Sequence, residues 1–241
     1  LGSSGQVDSW DRRYDLGFNM RYGNTALQGK YVKRNAGSFA GITNALNDGS
    51  EQQYIEYFLE LVHSRSLTHN VSMTGTLYYD HFESDNYWEL FPPGFAPGFS
   101  DGMLGRTPVT NERIGGELQT EFALGKNHKA LAGVMLEHQS QFDVQHYTNF
   151  DPFTGAPTGV YEDVSDKWNW NGDHSRDIKA VFIQDIWDIQ EDLRFIGGAR
   201  YDHYSDFGST LNPRMSLTWG FIENYSLITT YGSAFRAPTF G

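Results

Sequence analysis

Hydrophobic and polar side chains take turns along most of this chain. From Trp10 to Tyr22, one parity holds Trp10, Arg12, Tyr14, Leu16, Phe18, Met20 and Tyr22, and the other holds Asp11, Arg13, Asp15, Gly17, Asn19 and Arg21. Successive side chains of a strand point to opposite faces, so this period predicts a strand with one apolar side and one polar side. The pattern returns with Leu27 and Tyr31 against Gln28, Lys30 and Arg34, and over residues 52–62 with Ile55, Tyr57, Leu59 and Leu61 against Glu56 and Glu60. It continues from Val71 to Tyr79, from Ile114 to Leu124, and from Ala130 to Leu136. Over residues 177–189 both parities carry apolar residues, Val181, Ile183, Trp187 and Ile189 beside Phe182 and Ile186, which leaves the facing of that strand open. Three further runs close the chain: Leu193, Phe195, Ala199 and Tyr201; Leu211, Met215, Leu217 and Trp219; Tyr225, Leu227, Thr229 and Tyr231. Ten antiparallel strands are predicted in all.

The connections obey a second rule. Tight turns follow the first, third, fifth, seventh and ninth strands, among them Gly23-Asn24, a polar turn at 64–68 and GKNH at 125–128. Longer loops follow the second, fourth and sixth, at about 34–51, 84–111 and 141–176, and only the 205–210 link is short. In an up-and-down sheet the long loops therefore emerge at one end. The predicted strands run to about ten residues, against a globular mode of about 5–6. Their polar parity carries full charges, and aromatics gather toward the ends of the apolar parity. The fold class this predicts is all-β: an antiparallel up-and-down transmembrane β-barrel whose charged side lines water and whose apolar side meets lipid. A passive porin would use the same strands. A soluble β-sandwich binding module would have to bury the apolar parity against a second sheet.

Composition narrows this little. Among 241 residues only 39% are hydrophobic, yet 15% are aromatic and 26 are Gly, which suits strands and turns better than helices. There is no Cys, so neither a disulfide nor a thiolate metal site is available. A net charge of −12 with no basic stripe argues against nucleic-acid binding. No apolar run approaches the ~18 residues of a membrane helix, which does not exclude strands that cross. The chain opens on LGSSGQ without Met and stops just after a motif, so it reads as an internal piece of a longer protein.

The last stretch carries a more specific signal: FIQD at 182–185, GARYD at 198–202, SDFG at 205–208, LNPRMSLTW at 211–219 and YGSAFRAPTF at 231–240. In order and spacing these resemble the TonB-dependent outer-membrane receptors, and Phe235, Arg236, Ala237 and Pro238 form the most specific piece. The resemblance implies a barrel of about 22 strands closed around a plug domain, in the outer membrane of a Gram-negative bacterium. Residues 1–241 would be a partial barrel domain, without the plug. It implies active transport of a scarce iron complex, a ferric siderophore by frequency, with haem and cobalamin as alternatives. The implied partners are TonB and its inner-membrane energising complex, the metal chelate and the lipid bilayer, for a monomeric receptor with no resident cofactor.

Candidate site residues follow from the loops and the polar parity. In the first long loop Tyr87, Trp88, Phe91 and Phe95, and in the second Tyr147, Trp168 and Trp170, are candidate ligand contacts, since flat rings would stack on an aromatic or planar ligand; loop packing is the competing reading. Arg113, Glu117, Glu121, Arg194, Arg200, Asp202 and Arg214 are expected to face the lumen and to pair there. Asp163 and Asp166, with His146 and His174, are weak candidates for calcium or haem iron; no twelve-residue calcium-loop pattern is present. No GxSxG, HExxH or phosphate-binding glycine loop occurs, and Glu117 with Glu121 has no recognisable cleft, so an enzyme is not expected.

Overall fold

A computed structural model describes residues 9–38 and 49–240. Its strands in chain order are β1 (Asp11–Tyr22), β2 (Thr25–Gly37), β3 (Glu51–Thr68), β4 (Val71–Phe91), β5 (Met103–Arg106), β6 (Val109–Leu124), β7 (His128–Phe142), β8 (Tyr147–Phe150), β9 (Pro157–Asp163), β10 (His174–Gln190), β11 (Leu193–Tyr204), β12 (Gly208–Ile222) and β13 (Tyr225–Gly232). Ten of them form one antiparallel meander, β1-β2-β3-β4-β6-β7-β10-β11-β12-β13, and three short ones stand off this path. The ten strands of the meander are the ten that the alternation predicts. The sheet is open: among the described residues, β1 and β13 each have a neighbour on one side only.

Register assigns the two faces. Across the sheet, Met20, Leu27, Leu61, Leu77, Gly116, Leu136 and Lys179 stand in one row, and Val134, Val181, Tyr201 and Leu211 in another. This apolar face is open: Leu77, Leu136, Ile183 and Leu211 are each more than 60% exposed. Leu118, Leu217 and Trp219 are exposed as well, and Phe122 is half-buried. No dry interior covers the band. On β6 it runs from Ile114 to Leu124, a span of about 34 Å at ~3.4 Å per residue, or roughly 24 Å in height at a 45° tilt, which matches the ~25 Å apolar belt of a membrane barrel.

Aromatic side chains edge the belt at both ends. Toward the tight turns stand Tyr22, Trp187, Trp219, Phe221 and Tyr225, all exposed. Toward the long loops, Tyr31, Tyr57 and Tyr79 pack ring to ring, with centroids 6.4 and 5.9 Å apart, and His81 stacks on Tyr57 at 4.5 Å. Tyr79 also donates to Glu112 at 2.7 Å, tying the girdle across β4 and β6. No helix among the described residues is long and apolar enough to cross a membrane; a strand sheet with this belt crosses without one.

The polar face is the crowded, concave one. Glu137, Ala180 and Asp202 are buried there. Two glycines make that crowding possible. A Cβ on Gly115 would stand 2.5 Å from the Tyr78 ring, and one on Gly133 would overlap the Phe182 ring. Tyr78 uses the space to reach over β6 and donate to Glu137 of β7 at 2.5 Å. Phe182 takes the space over Gly133, and Arg200 lies 5.6 Å from its ring. The strand whose facing the sequence leaves open is thus apolar on both sides: Val181, Ile183 and Trp187 share the belt row, and Phe182 and Ile186 the polar face.

Strand boundaries depart from the sequence expectation at the ends. β3 continues to Thr68, through the predicted 64–68 turn, because Ser64 and Ser66 still pair with Thr74 and Ser72 of β4 and the turn falls at 69–70. The predicted 34–51 loop is strand to Gly37 and again from Glu51; its residues 39–48 lie outside the described ones. The two longer loops are not irregular throughout. β4 runs on to Phe91, and β5, β8 and β9 pair in series beside it, β4 to β5, β5 to β8 and β8 to β9. Backbone groups beyond the belt find each other across the two loops, which sequence periodicity within either loop does not report.

The polar face and the loop tier above it

All seven charged residues expected on the lumenal side share the polar face by register: Arg113, Glu117 and Glu121 on β6, Arg194, Arg200 and Asp202 on β11, and Arg214 on β12. Their pairing is mostly short-range. Arg200 donates to Asp202 at 2.8 Å and Arg194 to Asp188 at 2.5 Å. Arg113 pairs with Asp80 at 2.7 Å, lies 4.0 Å from Glu137 and sits over the Tyr78 ring at 5.0 Å. Glu117, Glu121 and Arg214 have no ion-pair partner among the described residues. The Arg194–Asp188 and Arg113–Asp80 pairs are open to water and contribute little stability, whereas Asp202 and Glu137 are buried beside their guanidinium neighbours.

Toward the loop end this face meets a cleft of about 460 Å³. Its floor is Glu56, Phe58, Asp80, Phe82, Arg113 and Gln139, and its rim is Trp170, Asn171, Thr239 and Phe240. The rim is held by hydrogen bonds to backbone: Trp170 Nε1 donates to the Gln145 carbonyl at 3.2 Å, Asn169 Nδ2 to that of Val144 at 2.6 Å, and Asn171 Nδ2 to that of Phe240. Aromatic planes therefore stand across the cleft from a charged floor.

The tail of the motif stretch is pinned to the same end. Arg176, only 4% exposed, chelates Asp206 through Nε and Nη2 at 2.8 and 2.7 Å. Its Nη1 donates to the Pro238 carbonyl at 3.0 Å, and its guanidinium lies 5.1 Å from the Phe207 ring and 4.6 Å from that of Phe240. Phe235 packs on Tyr204 and Phe207 at 5.9 and 5.4 Å. The hydrogen bond from Arg176 holds the Asp206 carboxyl below the usual carboxylate range.

A family model described as "TonB dependent receptor-like, beta-barrel" matches residues 1–241. The chain belongs to that family. Its place is the outer membrane of a Gram-negative bacterium, and the family is one of transport receptors, not of enzymes. A 59-residue stretch, 24% of this chain and 9% of the relative, is 34% identical to an iron-regulated outer membrane virulence protein of Vibrio cholerae. The fold resembles a ferric enterobactin receptor of Pseudomonas aeruginosa, with a TM-score of 0.64 and 15% identity over 95% of this chain and 34% of that one. It also resembles the ferric-catecholate import receptor Fiu of E. coli K12 (TM-score 0.65, 14% identity, 92% and 43%) and a copper transporter, OprC (0.67, 17%, 97% and 38%). The chain thus spans about a third of the solved receptors it matches, and the likeness to them is one of fold.

The seven aromatic candidates are not brought to one place. Trp170 overhangs the cleft, and Trp88 has the parity of the polar face. Tyr87 and Tyr147 stand on the opposite, belt side of the sheet's upward extension. Phe91 stacks on Phe95 at 4.6 Å, and Phe95 packs on the buried Phe99 at 4.9 Å, inside a loop turned by Gly94, Gly98 and Gly102 at positive φ. Trp168 packs on His146 at 4.7 Å.

The weak metal candidates do not converge either: among the described residues no group of three or more His, Asp or Glu side chains could hold an ion. Asp163 accepts from Ser165, His174 stacks on Phe240, and His146 is buried with Nδ1 lacking a partner. Burial pushes the His146 imidazole below its usual value. Glu56, Phe58, Phe82 and Arg176 were not singled out from sequence as site residues, and Asp206 only within the SDFG piece; the strand parity of the first four was readable, but the cluster they join was not.

Proposed function

We propose that this chain is the wall-and-loop part of a receptor that takes up a scarce iron complex, a ferric siderophore, with energy delivered through TonB. The observation that carries the reading is the cleft at the loop end of the polar face, where Trp170, Phe58, Phe82 and Phe240 gather beside Arg113 and Asp80. A bulky chelate offers planar, partly aromatic arms and residual charge, and rings with a few polar groups are what retains such a ligand. The membership of the whole chain in the receptor family supports transport, and the 59-residue likeness to an iron-regulated protein supports iron as the cargo. Arg113 in the cleft's floor, with Glu117, Glu121, Arg194, Arg200, Asp202 and Arg214 below it, would line the path the chelate travels. The working unit would be a monomer in the lipid bilayer.

A strain lacking the gene, supplied with single sources of ferric siderophore, haem, cobalamin or copper, tests this. Loss of growth on one class of ferric siderophore, restored by the intact gene, is the expected result. Trp170→Ala removes one stacked ring, about 0.5–1.5 kcal/mol, and raises half-saturation roughly 2- to 12-fold. Unimpaired iron acquisition with a defect only on copper, haem or cobalamin would transfer the cleft to that ligand.

A further inference from the structure

Above the belt, the lipid side of the sheet does not end. β4 keeps its register with β3 from Ser72 to Tyr87 without a bulge, so Tyr79, His81, Glu83, Asp85 and Tyr87 form one row on that side. Eight residues at about 3.4 Å each place Tyr87 roughly 27 Å beyond Tyr79 along the strand, or about 19 Å higher at a 45° tilt. Tyr79 belongs to the girdle at headgroup level, so Tyr87 stands well clear of the acyl chains.

Two further tyrosines join it there from the paired loops. Register continues the row from Tyr87 to Arg106 and on to Tyr147. Tyr161 of β9 meets Tyr87 edge-on at 6.2 Å and stacks with Tyr147 at 6.1 Å. Arg106 lies 5.2 Å from the Tyr147 ring but spends its charge on Asp85, with bonds of 2.7 and 2.6 Å. The result is a tyrosine shelf whose one guanidinium is already neutralised. Tyr161 is 41% exposed, and the hydroxyls of Tyr87 and Tyr161 have no protein partner among the described residues. Burial pushes both phenols above their usual range, so they remain donors at any external pH the cell meets.

We propose that Tyr87, Tyr147 and Tyr161 form a docking shelf for the oligosaccharide headgroup of the glycolipid in the outer leaflet. The shelf is continuous with the lipid-facing belt and at the height where such a lipid carries its sugars. Its chemistry fits: ring faces stack on the C–H faces of pyranoses, and free phenols bond sugar hydroxyls. A phosphate is the poorer match, because the shelf's guanidinium is already neutralised by Asp85. The inference depends on the outer-membrane position of the chain and not on which ligand it carries.

The test uses the intact receptor in vesicles of phospholipid with lipopolysaccharide of complete core or, in parallel, with lipopolysaccharide truncated to its lipid A and innermost acidic sugars. Amide hydrogen exchange over residues 157–163 is the readout. The complete core is expected to slow exchange there about tenfold in the wild type. Tyr161→Ala should abolish that difference, and Tyr161→Phe, which keeps the ring and loses the hydroxyl, should retain part of it. Equal protection by the two lipids overturns the proposal. So does protection that persists in Tyr161→Ala, a receptor–receptor cross-link through this face, or loss of iron-complex uptake in Tyr161→Phe, which would make the shelf a ligand contact.

Discussion

Replacing Arg176 with alanine should loosen the end of the motif stretch without unfolding the barrel. The guanidinium makes three kinds of contact. Its pair with Asp206 is bidentate but open to water on the carboxylate side, worth about 1–2 kcal/mol after screening. The hydrogen bond to the Pro238 carbonyl adds about 1 kcal/mol, and the contacts with Phe207 and Phe240 about 0.5–1 kcal/mol each. Allowing for non-additivity, roughly 3 kcal/mol is lost, a factor of about 100 or more in the opening equilibrium of the 205–207 turn and residues 234–240. The rest of the sheet does not use Arg176, so exchange protection should fall at the amides of Ser205 and Ser233, which bond to Asp177 and Pro213, and stay constant in β6 and β7. Arg176→Lys should recover less than half, because a point charge reproduces neither the fork nor the ring contacts. The pH dependence has a definite sign. Arg176 lowers the Asp206 carboxyl, so the pair's contribution is complete above about pH 4 and disappears as pH falls through the lowered native value. Unchanged protection at Ser205 and Ser233 in Arg176→Ala, measured by hydrogen-exchange mass spectrometry on the intact receptor, would refute the reasoning.

Three other outcomes follow from the same geometry. Leu118→Arg puts a charge at mid-belt and should cost about 2–4 kcal/mol in folding into bilayers, whereas Gln119→Arg, one residue on and facing the polar side, should cost less than about 1 kcal/mol; urea titration in vesicles reads both. Gly115→Val would drive Tyr78 off Glu137 and cost roughly 1–3 kcal/mol, seen as a lower melting temperature, while Gly75→Ala, with only Leu118 at 3.8 Å, should be near neutral. His146 is buried neutral, so the fold of residues 143–173 is fully stable above about pH 6.5 and weakens as pH falls from there toward its lowered native value. Protease nicking of that segment should rise as pH falls below about 6.5, and His146→Phe, which cannot titrate, should remove the pH dependence.

What the chain's alternation determined by itself was the meander and its two faces. Side-chain direction in a strand is local, so Leu118 and Gln119 must part whatever surrounds them, and a face carrying Arg113, Arg200 and Arg214 cannot be the one in lipid. Antiparallel neighbours joined by turns as short as Gly23-Asn24 left the strand order no freedom. Only the tertiary structure could decide what lies above the belt. Tyr87, Tyr147 and Tyr161 come from three separate strands, and the pairings of β5 with β8 and β8 with β9 that unite them join two loops distant in sequence. The same holds for Arg176, Asp206 and Pro238, whose partnership depends on the bend of the chain after β13. Periodicity records which way one side chain points relative to the next; it carries no information on which distant backbone groups satisfy each other once the membrane stops imposing a regular sheet.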